Sequence, residues 1–185
     1  MKELSLNILD IAENSYKAGA TLTEILLTEE GGRLTLTVRD NGHGMKEDTL
    51  AGVTDPFYTT RSTRSVGLGL PLLKLEAEMT GGDVKIKSRH RDDFPHEHGT
   101  EVTAVFMTDH IDCPPLGDII STVVTLIQGH PDADTLFSHR KGSAEVALDT
   151  REMRAVLENV PLGTFEVLEW IRSTLEEAYL EFYKK

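Results

Sequence analysis

A chain of 185 residues has room for one ordinary domain, or for a small domain with an appendage. Its 39% apolar and 27% charged residues suit a folded globular protein, and no apolar run approaches the length of a membrane span. A net charge of -12 argues against nucleic-acid binding by long-range attraction to phosphate, and the single cysteine excludes an internal disulfide framework. With no signal core after Met1, the expectation is a cytoplasmic protein that uses neither nucleic acid nor membrane as a partner.

Residues 3–18 have the spacing of an amphipathic helix, with Leu4, Ile8, Ile11, Ala12 and Ser15 on one face and Gly19 as a stop. Thr21–Glu29 and Arg33–Arg39 alternate about Gly31-Gly32, which predicts a hairpin. Residues 40–66 hold a glycine turn and a polar loop without a period. A helix is expected from Gly67 to about Met79, stopped by Gly81-Gly82. Asp83–Arg89 and Thr100–Met107 alternate again, across a loop at Arg91–Gly99. This order predicts an antiparallel or mixed sheet with helices on one face, a two-layer α/β sandwich.

A break at Thr108–Pro115 divides the chain into residues 1–108 and 109–185. The second part reads as a small mixed α/β appendage. It has a helix at Leu116–Gln128, a hairpin at Thr135–Leu148, and helices at Arg151–Asn159 and Thr164–Tyr183. The last carries an apolar stripe of Phe165, Val167, Leu168, Trp170, Ile171, Leu175, Tyr179 and Phe182. The stripe is expected to form core, and it also suits a homodimer or partner surface.

Three groups of residues carry candidate chemistry. Asp10, Asn14 and Lys17 share one helix face, where a carboxylate, an amide oxygen and an ammonium suit a hydrated Mg2+ and phosphate. Asp40 precedes Gly42 and Gly44, so a carboxylate stands beside backbone that a ring can approach. Gly67-Leu68-Gly69 opens a helix, whose free amides suit phosphate oxygens. Arg61, Arg64 and Lys74 lie near these glycines. Taken singly, each group is equally a solvated helix face or a common turn, and it is their order and spacing that argue.

In that order they resemble the motifs of the GHKL (Bergerat-fold) ATPase superfamily. It includes the ATP-binding domains of gyrase, a heat-shock chaperone, mismatch-repair proteins and sensor histidine kinases. Asp10-Ile-Ala-Glu-Asn14-Ser-Tyr-Lys17-Ala-Gly-Ala resembles the N box, and Asp40-x-Gly42-x-Gly44 the adenine box. Gly67-Leu68-Gly69-Leu resembles the box that closes the lid, and Gly99-Thr100 the last motif. The resemblance implies ATP and Mg2+ as cofactors. It implies Asn14 as metal ligand, Asp40 as acceptor for the adenine amine and Thr100 as its support. Lys17, with Arg61 or Arg64, would contact phosphates.

The N box is similar to the mismatch-repair branch, and Asp55-Pro-Phe-Tyr-Thr-Thr-Arg61 to the histidine-kinase branch. The hydrolysing branches hold glutamate at the catalytic position, where this chain has Asp10, one methylene shorter. That shifts the expectation from direct water activation towards phosphate transfer. The acceptor hairpin of a sensor kinase is not found before residue 4. His43, His90, His96, His98, His110, His130 and His139 are the candidate acceptors in the chain. His43 lies inside a motif, His96-Glu-His98 in a loop, and His110, His130 and His139 beside turns.

The expected function is therefore a stand-alone Mg-ATP-binding, histidine-kinase-like module that transfers phosphate to, or signals to, a partner protein in trans. The alternatives are an ATP-switched regulator resembling an anti-sigma factor, and a slow mismatch-repair-like ATPase.

Overall fold

A computed structural model describes residues 3–55 and 69–184. In chain order the elements are α1 (Leu4–Lys17), β1 (Leu22–Glu30), β2 (Arg33–Asp40), α2 (Glu47–Gly52) and α3 (Gly69–Met79). They continue with β3 (Asp83–Arg89), β4 (Gly99–Met107), α4 (Ile119–Gly129), β5 (Asp134–Lys141), β6 (Ala144–Asp149), α5 (Thr150–Leu157) and α6 (Phe165–Phe182). The strands form one six-stranded mixed sheet in the order β3-β4-β2-β1-β5-β6. This is the α/β sandwich that the alternation predicts.

The period of two decides the two faces of the sheet. Ile25 and Leu27 of β1, Leu34, Leu36 and Val38 of β2, and Val102, Ala104 and Phe106 of β4 are all buried on one face. Against them lies the α1 stripe of Leu4, Ile8, Ile11 and Ala12, with Leu73 and Ala77 of α3. Each of the Val, Leu, Ile and Phe side chains among these contributes about 1.5–3 kcal/mol on burial. The opposite face is polar, with Arg39 bridging Glu101 and Glu24 across three strands.

The C-terminal residues are joined to this sheet through its middle. β5 runs parallel to β1, from Leu22 opposite Asp134 to Glu29 opposite Lys141, and β6 closes that edge. The connecting strap also serves α1. The amides of Leu4 and Ser5, which have no acceptor within the helix, donate to the carbonyls of Pro115 and Leu116 at 2.9 and 2.8 Å.

Two features depart from the sequence pattern. Helix α2 forms inside residues 40–66, where no period is visible. Six residues with none buried are too few to show one, and Glu47 and Asp48 suit its first turn. In α6, Val167, Leu168, Ile171, Leu175, Tyr179 and Phe182 are core, but Phe165 is 72% and Trp170 47% exposed. Trp170 is one residue off the buried stripe and turns away from it.

His139 is fully buried between β1 and α6. Its Nε2 meets Glu29 Oε1 and its Nδ1 meets the Tyr179 hydroxyl, both at 3.0 Å. A neutral ring that donates from Nε2 and accepts at Nδ1 satisfies both. Burial pushes the His139 pKa down, partly offset by Glu29, and burial holds the Tyr179 hydroxyl protonated. A histidine that binds its proton less readily when folded stabilises fully above its unfolded value of about 6.5, and that stability is lost as pH falls below it. Thermal unfolding should therefore shift to lower temperature between pH 7.5 and 5.5. The shift should be smaller in His139→Gln, and an equal shift in both would refute the assignment.

Candidate nucleotide site

The carboxylate of Asp40, at the end of β2, accepts hydrogen bonds from three separate elements. Ser15 Oγ on α1 donates to Oδ2 at 2.9 Å. The amides of Gly42 and Thr100 donate to Oδ1 at 2.8 and 3.3 Å. An ionised carboxylate offers about four acceptor positions. Among the described residues three are filled, which leaves one for an incoming donor.

The turn after Asp40 is held as tightly. Asn41 Oδ1 accepts from the amides of Thr21 and Leu22, and the His43 amide donates to the Ala18 carbonyl. His98 Nδ1 lies 2.6 Å from the Gly42 carbonyl. Gly44 has φ +69°, and a Cβ there would overlap the Arg89 carbonyl oxygen. Ser88 Oγ receives the Met45 amide and meets Thr100 Oγ1 at 2.9 Å. The first glycine motif and the Gly99-Thr100 pair, 60 residues from Asp40, thus form one wall.

Asp10, Asn14 and Lys17 lie along one stripe of α1, with Asn14 and Lys17 exposed. A Cβ on Gly69 would overlap Asp10 Oδ2, so the start of α3 sits directly against that carboxylate. One turn away, Asn7 Nδ2 donates to Glu76 Oε2 of α3 at 2.7 Å. Among the described residues no three His, Cys, Asp or Glu side chains converge on a metal position. A carboxylate and an amide oxygen on one helix face still fit Mg2+, which keeps several waters and shares phosphate oxygens.

The structure therefore brings Asp40, Gly42, Gly44 and Thr100 together, and it sets Asp10 beside Gly69. Arg61, Arg64, Gly67 and Leu68 lie outside the described residues. The sequence reading missed Ser15, Ser88 and His98 as supports of the wall. Ser15 follows Asn14 directly and could have been found from the helical period, because it points towards the sheet. Nothing local marks Ser88 or His98.

A family described as histidine kinase-, DNA gyrase B- and HSP90-like ATPases matches residues 1–110. The chain belongs to this family. An uncharacterised sensor-like histidine kinase of Rhizobium meliloti is 45% identical over 92 residues, 47% of this chain and 17% of that protein. Sporulation kinase C of Bacillus subtilis is 28% identical over 88 residues, 48% of this chain and 20% of that protein. The chain thus matches only a small part of the length of these relatives. Among solved structures, the Aquifex aeolicus MutL ATPase domain complexed with ADP covers 85% of this chain and 70% of its own. Its TM-score is 0.58 at 14% identity, a likeness of fold. The same likeness of fold holds for the N-terminal domain of a DNA repair protein, with TM-score 0.58, 14% identity, and 80% and 53% coverage. No helix among the described residues is long and apolar enough to cross a membrane.

The Gly44 turn gives a direct test of the wall. Gly44→Ala places a β-carbon in a left-handed conformation and against backbone that cannot yield. Chemical denaturation should show a loss of at least about 2 kcal/mol. A variant as stable as the parent would mean that the turn is not built as described.

Proposed function

We propose that this chain binds Mg-ATP between α1, the Asp40 wall and the start of α3, and passes phosphate or a conformational signal to a partner protein. The observation that carries the reading is the Asp40 carboxylate, held by Ser15, Gly42 and Thr100 with one acceptor position left. That position suits the exocyclic amine of adenine, and Gly42 and Gly44 let the turn close on Ala18 and Arg89 so that the carboxylate is held in place. Asn14, with Asp10 beside it, would hold Mg2+. The metal, when bound, offsets the charge of the phosphates. Lys17, Gly67, Leu68, Gly69 and Arg61 or Arg64 would hold the phosphates themselves.

Asp10 faces the N-terminal end of α3, where terminal phosphates would lie under this reading. A carboxylate there orients the nucleophile or accepts its proton as the phosphoryl group leaves. In-line transfer depends mainly on positioning, so a shorter Asp serves an acceptor hydroxyl or imidazole presented by a partner. The kinase names of the sequence relatives support the kinase reading. In this proposal residues 1–108 are the nucleotide-binding unit, residues 109–185 support it, and the protein acts in the cytoplasm. The exposed Phe165 and Trp170 suit a homodimer or partner contact.

A second reading, a slow ATPase, is supported by the extension of the MutL-like fold over 85% of the chain. Incubation with radiolabelled ATP, Mg2+ and candidate partners separates the two, since transfer leaves label on protein and hydrolysis releases phosphate. A switch of the anti-sigma kind would give neither, only an ATP-dependent change in partner affinity.

Asp40→Asn replaces the acceptor with a group that donates in part. Calorimetry should show ATP affinity falling by about tenfold or more, as expected for a lost hydrogen bond to a charged group. Undiminished affinity would refute the adenine assignment. Asp10→Asn should reduce label transfer by about tenfold or more. Transfer at the parent rate would remove Asp10 from the reaction.

A further inference from the structure

Glu13 sits at the edge of the α1 stripe, between Lys17 and the C-terminal half of the chain. Its Oε2 is 3.6 Å from Lys17 Nζ, and its Oε1 is 2.9 Å from His130 Nε2. His130 follows α4 directly, and its ring stacks on Tyr16 with centroids 4.0 Å apart and planes 20° from parallel. Tyr16 is fixed in turn, because its hydroxyl meets Thr135 Oγ1 at 2.7 Å on β5. The imidazole therefore has one well-defined place from which to reach Glu13.

We propose that Glu13 is a positioning residue that sets how freely Lys17 reaches a nucleotide phosphate, and that His130 controls Glu13. The proposal rests on the assignment of Lys17 to the phosphates. An ammonium with a carboxylate 3.6 Å away is partly neutralised, so phosphate must compete with Glu13 for it. When Lys17 leaves, a partly buried carboxylate would lose a partner. His130 on the other oxygen keeps that carboxylate satisfied and lowers the cost of the exchange. Residues 109–185 thereby act on the phosphate end of the site, although they carry none of the nucleotide motifs.

The two members of this contact have opposite expected effects. Glu13→Gln removes the competing charge and frees Lys17. His130→Phe keeps the stack on Tyr16 but leaves Glu13 with Lys17 as its partner, which strengthens the competing pair. His130→Gln keeps a donor and should restore behaviour close to the parent chain.

The test is calorimetry of the full chain with ATP, ADP and adenosine in the presence of Mg2+. Glu13→Gln should bind ATP about two- to five-fold more tightly, and His130→Phe should bind it more weakly by a similar factor. Adenosine, which has no phosphate, should be unaffected by either. Shifts of the same sign in both variants, or equal shifts for ATP and adenosine, would mean ordinary packing and would overturn the proposal alone. An unaltered chain that binds no ATP would overturn the parent reading and this one with it.

Discussion

Three donors on one carboxylate organise the site. Ser15 comes from the first helix, Gly42 from the turn after β2 and Thr100 from the start of β4, and all three meet on Asp40. Hydrogen bonds to a charged acceptor are about twice as strong as neutral ones, so the arrangement resists sliding of any one element past the others. It also explains the glycines. With Asp40 pinned, the chain must leave β2 against the backbone of Arg89, and Gly44 supplies the positive φ that this needs.

Helix α1 is the beam on which the other parts bear. Its buried stripe lies on the sheet, its Asn7 ties it to α3, and its Glu13 and Tyr16 tie it to the segment after α4. Its first amides are capped by carbonyls at residues 115 and 116. A helix restrained on three sides presents Asp10, Asn14 and Lys17 at stable spacings. This arrangement also gives the C-terminal residues a role in the site that their composition does not suggest. They extend the sheet by two strands and complete the packing of α1.

The legible parts of this protein are those whose physics is local. The alternation in β1 to β4 and the period of α1 and α6 each follow from a few consecutive residues. The turn after Asp40 is legible for the same reason, because Gly44 needs φ > 0. The short α2 was not, because a helix with no buried face leaves no apolar period. Nor was the exposure of Trp170, which differs from its buried neighbour Ile171 only by one step around the helix.

The sequence by itself determined the family and the sandwich of helices on a sheet, and it singled out the residues of α1 and of the turn after β2 that are proposed to meet a nucleotide. Only the tertiary structure decided which strands are neighbours, and so that β5 joins β1 in parallel and makes residues 109–185 part of the same sheet. It alone decided that Ser15 and Thr100 share Asp40, and that His98, His130 and His139 are held by a carbonyl and two carboxylates. The reason is one of range. A turn or a helix face is written in adjacent residues, but a hydrogen bond between positions 13 and 130 has no local signature and follows only once the intervening sheet has brought them together.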